Sequence, residues 1–107
     1  MNNTNSPFIN EQGTVGTLTP TVLATGRITQ YTSSTSLNSL RFYNPVAYTI
    51  TLSKYDASQN LLLEVYKYQL SAGDTLIDTN LYQLAGNDRL EAQSSVAGTN
   101  YFILGTK

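Results

Sequence analysis

Turn-forming residues interrupt this chain at short, nearly regular intervals: SSTS at 33–36, Asn44-Pro45, Asp56 to Asn60, Ala72-Gly73-Asp74, Ala85 to Asp88 and Ala97-Gly98. Pro presets φ, Gly and Asn tolerate positive φ, and Asp and Ser side chains capture nearby main-chain amides, so the chain can reverse at each cluster. The segments between them carry no helical period. Runs of about six to eight residues between regular turns are the pattern of a sandwich or barrel. The expected fold is all-β, a single antiparallel β-sandwich.

The intervening segments predict strands over Arg27–Tyr31, Leu37–Tyr43, Tyr48–Tyr55, Leu61–Tyr68, Thr75–Tyr82, Arg89–Ser95 and Asn100–Leu104, all rich in β-branched and aromatic residues. In YTITLSKY, Tyr48, Ile50 and Leu52 share one face while Thr49, Thr51 and Ser53 share the other, the alternation of a half-buried strand. In LLLEVYKY, Leu61, Leu63 and Val65 alternate with Leu62, Glu64, Tyr66 and Tyr68, so the second face is amphipathic and rich in tyrosine, and a strand covered on both faces is one reading. A helix over the middle of DASQNLLLEVYKYQL is the competing reading. Val65, Tyr66 and Tyr68, with turn residues Asn60 and Gly73 outside them, favour the strand. LSAGDTL (70–76) and LAGNDRL (84–90) both fit L-x-x-x-D-x-L, read as one turn chemistry used twice, an Asp capping local amides.

A chain of 107 residues has length for one core. Residues 1–25 form an extended N-terminal arm in this reading, and residues 26–107 form the sandwich. The arm is polar with two prolines, Pro7 and Pro20, yet it carries Phe8, Ile9, Val15, Leu18, Val22 and Leu23, more apolar residues than an inert linker holds. Two readings stay open: a strand folded back on its own domain, or an arm docked on a neighbouring subunit through those six residues.

The chain contains neither Cys nor His. Disulfides, thiolate chemistry and Cys-ligated zinc go with the first, and the commonest general base and metal ligand go with the second. Ser94-Ser95 lies in no G-x-S-x-G context, and the glycines stand singly with no phosphate-binding loop. Asp74, Asp78, Asp88 and Glu91 are poorly spaced for calcium or for a glycosidase pair and read as turn formers. No enzyme, cofactor or metal is expected. Charged residues make up 12% of the chain at a net charge of −1, and Arg27, Arg41, Lys54, Lys67, Arg89 and Lys107 are scattered, so nucleic acid is not an expected partner. The polar opening MNNTNSPFIN and the lack of a long apolar run predict neither a cleaved leader nor a membrane span.

Eight tyrosines are the positive anomaly, at 31, 43, 48, 55, 66, 68, 82 and 101. With no Trp present, some must serve as core aromatics. Tyrosine also offers large contact area at low entropic cost. Tyr55, Tyr66 and Tyr68 are the expected exposed set, for protein contact or for stacking on a glycan.

From about Arg41 to Gly105 the chain resembles small β-sandwich structural proteins of tailed-phage virions. The resemblance rests on RFYNPVAYTITLSKY, LSAGDTL, LYQLAGNDRLEAQSSVAG and TNYFILG. Members typically carry Gly-Asp together before the penultimate strand, whereas here Asn87 separates Gly86 from Asp88. The resemblance implies an Ig-like or jelly-roll-like sandwich located in the virion. Such a protein serves as a capsid decoration, head-fibre, neck or tail accessory subunit, binding other virion proteins and its own copies through the N-terminal arm and sheet edges. The alternative is a carbohydrate- or receptor-binding module.

Overall fold

The computed structural model describes residues 8–26 and 35–106, among which every regular element is a strand. The strands are β1 (Phe8–Thr14), β2 (Thr21–Thr25), β3 (Thr35–Tyr43), β4 (Tyr48–Asp56), β5 (Leu61–Leu70), β6 (Thr75–Asp78), β7 (Tyr82–Leu84), β8 (Arg89–Ser94) and β9 (Asn100–Thr106). They form two antiparallel sheets. One runs β1-β9-β3-β6, with β7 also on β3, and the other runs β2-β8-β4-β5. The strand expected at Arg27–Tyr31 lies outside the described residues. The helix considered over DASQNLLLEVYKYQL is replaced by the strand β5.

The pairings are nested: β4 with β5, β3 with β6 and β7, β2 with β8, β1 with β9. Further pairings of β9 with β3 and β8 with β4 complete the two sheets. Residues 8–25, read from sequence as part of an arm, supply one edge strand to each sheet. Ile9, Val15 and Leu23 lie in the core. Their apolar period was hidden because β1 turns only Ile9 of its large side chains inward, while a bulge at Leu23 breaks the alternation of β2.

The core lies between the sheets. Tyr48, Ile50 and Leu52 point into it as the alternation requires, against Leu37, Leu40, Phe42, Leu84, Leu90 and Ile103. The buried Tyr48 hydroxyl sits 2.9 Å from the Phe42 carbonyl oxygen and 2.7 Å from that of Asp74, so burying the ring strands no donor.

The segment expected as one strand over Thr75–Tyr82 is two. β6 pairs with Leu40–Tyr43 of β3 and β7 with Thr35–Leu37. Between them the Asp78 carboxylate takes the main-chain and side-chain N–H groups of Asn80, both at 2.8 Å, and this local capture ends the ladder.

The two L-x-x-x-D-x-L turns are alike. Asp74 N–H donates to the Ser71 carbonyl at 3.1 Å and Asp88 N–H to that of Ala85 at 3.0 Å. The residue before each Asp has positive φ, 79° at Gly73 and 66° at Asn87. Asn87 therefore occupies the left-handed position that Gly73 fills in the first turn, one of the few non-Gly residues suited to it. The carboxylates differ. Asp88 accepts from Ala57 N–H at 2.9 Å and Ala85 N–H at 3.2 Å, tying two turns together, whereas Asp74 contributes its main chain.

Candidate interaction surface

Among the described strands the nested pairing leaves β5 at the edge of its sheet, with β4 on one side and none of the others on its second side. It is ten residues long, and apart from half-buried Tyr68 and Leu70 every residue is exposed. Leu61, Leu62, Leu63, Val65 and Tyr66 retain between 40% and 55% of their accessible surface. The reading of a strand covered on both faces is not met: Leu61, Leu62, Leu63, Glu64, Val65, Tyr66 and Lys67 are all exposed.

A bulge sets the direction of each side chain. Pairing with β4 steps from Leu52↔Tyr66 to Ser53↔Glu64, so Val65 is the extra residue. Residues directly opposite in an antiparallel ladder share a face. Tyr66, Tyr68 and Leu70, opposite Leu52, Ile50 and Tyr48, lie on the core side. Glu64, Lys67 and Gln69, opposite Ser53, Thr51 and Thr49, lie on the outer side.

Where Tyr66 and Tyr68 meet the other sheet they join Tyr82 and Asp78. Tyr66 and Tyr68 stack with centroids 5.6 Å apart, and Tyr66 meets Tyr82 edge-on at 6.3 Å. The Tyr68 hydroxyl donates to Asp78 Oδ2 at 3.2 Å, and the Tyr82 hydroxyl donates to the same oxygen. With Asn80 on Oδ1, a carboxylate only 3% exposed accepts four hydrogen bonds and fastens the two sheets together.

Burial, and then the Asp78 charge beside it, pushes the Tyr68 hydroxyl up from 10.0 to about 12. Burial and the hydrogen bond to Asp78 raise Tyr82 as well. Folding thus favours the neutral phenols. Their stabilisation is whole below pH 10, the ordinary value, and is lost as pH rises through the folded-state values. Urea unfolding followed at increasing alkaline pH should show stability falling beyond about pH 10, with a shallower fall for Tyr82→Phe, although that variant is weaker at neutral pH. Equal slopes for the two proteins would contradict this linkage.

The residues expected to bind partners are dispersed. Phe8, Leu18 and Val22 are exposed at the β1–β2 side of the sandwich, Leu18 almost fully at 95%. Ile9, Val15 and Leu23 are core residues and are not open to a partner, which corrects their assignment as docking residues. Tyr66 and Tyr68 come together at the β5 edge. Tyr55 lies on the outer face of the same sheet, opposite Arg89, whose guanidinium sits 4.0 Å above its ring while its Nε pairs with Glu91 at 2.9 Å. The three rings form no common platform for a sugar.

The four carboxylates considered from sequence occupy separate roles: an exposed turn at Asp74, the sheet-to-sheet fastening at Asp78, a turn cap at Asp88 and an ion pair at Glu91. Among the described residues no three His, Cys, Asp or Glu side chains gather in a way that would hold a metal ion. Sequence reasoning missed Asp78 as a hub and the exposed leucines of β5. No protein-family model and no curated protein sequence matches the chain.

Proposed function

We propose that this chain is a non-enzymatic structural protein of a tailed-phage virion, a jelly-roll subunit that binds capsid, neck or tail proteins and further copies of itself through its sheet edges. The observation that carries the reading is the placement of exposed apolar side chains along opposite edges of the sandwich, Leu18 and Val22 by β2 and Leu61, Leu62, Leu63 and Val65 on β5. A sandwich of low charge with two apolar edges is built to be covered from both sides. The nested strand pairing, a long hairpin rolled across two sheets, favours the jelly-roll over the Ig-like form, and jelly-rolls recur in viral capsid proteins. That last step is fold-level analogy. The phage-like pattern from Arg41 to Gly105 points the same way.

Virions produced without the chain should take up the purified protein at a fixed stoichiometry. Removing residues 1–25 would delete β1 and β2 and so test folding; the docking test is Leu18→Ser with Val22→Thr, both exposed. The folded double variant should lose most of its uptake. Virions that are complete without the chain and bind none of it would overturn the reading, and selective binding on a glycan array would favour the carbohydrate-binding alternative.

A further inference from the structure

Edge strands present unpaired main-chain groups to any strand that fits them. β5, at ten residues, is the longest edge among the described strands; β1 has seven residues, β2 five and β6 four. We propose that β5 pairs antiparallel with β5 of a second copy of this chain, across a two-fold axis at Tyr66, so that two copies of the four-stranded sheet become one continuous sheet.

The bulge makes the strand self-complementary. A two-fold axis normal to a sheet requires that residues facing each other across it lie on the same face. In an unbroken strand Glu64 and Lys67, three residues apart, fall on opposite faces and can never oppose each other. The extra residue Val65 removes that obstacle: both charges lie on the outer face, one ladder step to either side of Tyr66.

With the axis at Tyr66, Lys67 stands opposite the partner's Glu64, and Glu64 opposite the partner's Lys67. The rest of the strand follows without remainder. Tyr66 meets its own copy, Tyr68 faces Leu63, Gln69 faces Leu62, and Leu70 faces Leu61. Every residue except the bulge has a counterpart and no like charges are opposed. The exposed leucines Leu61, Leu62 and Leu63 acquire Leu70, Gln69 and Tyr68 as cross-strand neighbours.

Charges and bulges on an edge also serve in other proteins to repel a second strand, and a charge swap separates the two roles. The full-length chain, free of other virion components, is followed by sedimentation equilibrium from about 1 μM to about 1 mM. A monomer–dimer equilibrium is expected. Lys67→Glu or Glu64→Lys alone sets like charges against each other twice and should weaken the dimer by tenfold or more. The double swap, Glu64→Lys with Lys67→Glu, should restore it to within a few-fold of the original. Both side chains are exposed, and circular dichroism with thermal melting verifies that each variant is folded. A monomer throughout the range overturns the proposal. So does a dimer indifferent to the single reversals, a double swap without recovery, or tighter association when Glu64→Gln and Lys67→Gln remove the charges. The inference deepens the self-association in the reading above but stands on the geometry of β5: loss of virion uptake leaves the dimer intact, and absence of the dimer leaves uptake through the β2 edge intact.

Discussion

Asp78→Ala is expected to cost about 3–5 kcal/mol, a large part of the roughly 5–15 kcal/mol that holds a domain of this size. The carboxylate is buried and accepts from Tyr68, Tyr82 and both N–H groups of Asn80. No buried side-chain nitrogen or oxygen among the described residues lacks a partner, so the site starts fully satisfied. Alanine removes the acceptor for all four donors at once and takes from the hydroxyl of Tyr82, a ring only 7% exposed, the partner it has in the fold. Because Tyr68 comes from β5 and Asp78 from β6, the loss also removes a hydrogen bond between the two sheets.

Asp78→Asn is the informative companion. Its amide oxygen still accepts from Asn80, and the two phenol oxygens, weaker acceptors than donors, can take the new NH2 group. Charge-assisted bonds become neutral ones, and the cost should fall to about 1–2 kcal/mol. Urea midpoints at unchanged m separate the variants. If Asp78→Ala were as stable as Asp78→Asn, the network would add nothing to the packing of the sheets.

How much of this was legible beforehand follows from how local each feature is. The alternation in YTITLSKY could be read because β4 lies inside its sheet with one face on the core, so burial copies the period of the strand directly. The repeated turn was legible because its hydrogen bond spans three residues and its left-handed position needs only Gly or Asn. β5 was not, since its exposure depends on which strands fail to lie beside and above it, and nothing in LLLEVYKY reports that. Asp78 was one of four similar carboxylates until the stacked sheets brought Tyr68 and Tyr82 to it. Thr75–Tyr82 looked continuous because β-propensity does not register an Asp that captures the chain two residues later. For residues 8–25 a strand folded back on its own domain was one of two readings, and the bulge at Leu23 and a β1 whose only large inward side chain is Ile9 kept the sequence from deciding between them.

Gly26→Ala should cost about 3 kcal/mol, as much as removing a large core side chain, although a methyl group is all it adds. A Cβ at this position would stand 1.7 Å from the Ala85 carbonyl oxygen, 2.7 Å from the Ala85 carbonyl carbon and 2.9 Å from the Leu84 carbonyl oxygen. All three obstacles are backbone. Gly26 cannot retreat, because its N–H donates to the Asp88 carbonyl at 2.7 Å and its own carbonyl accepts from Asn87 N–H at 3.0 Å. The bonds that hold it in place belong to the same turn that excludes the side chain, so relieving the clash breaks the link between the end of β2 and the turn before β8. Gly73→Ala separates sterics from conformation: nothing lies within 4 Å of its added Cβ, but φ is 79°, and the cost should be about 1 kcal/mol. A Gly26→Ala variant no weaker than Gly73→Ala in urea would show that residues 85–88 can yield, and would remove the close approach of β2 from what fixes this edge of the sandwich.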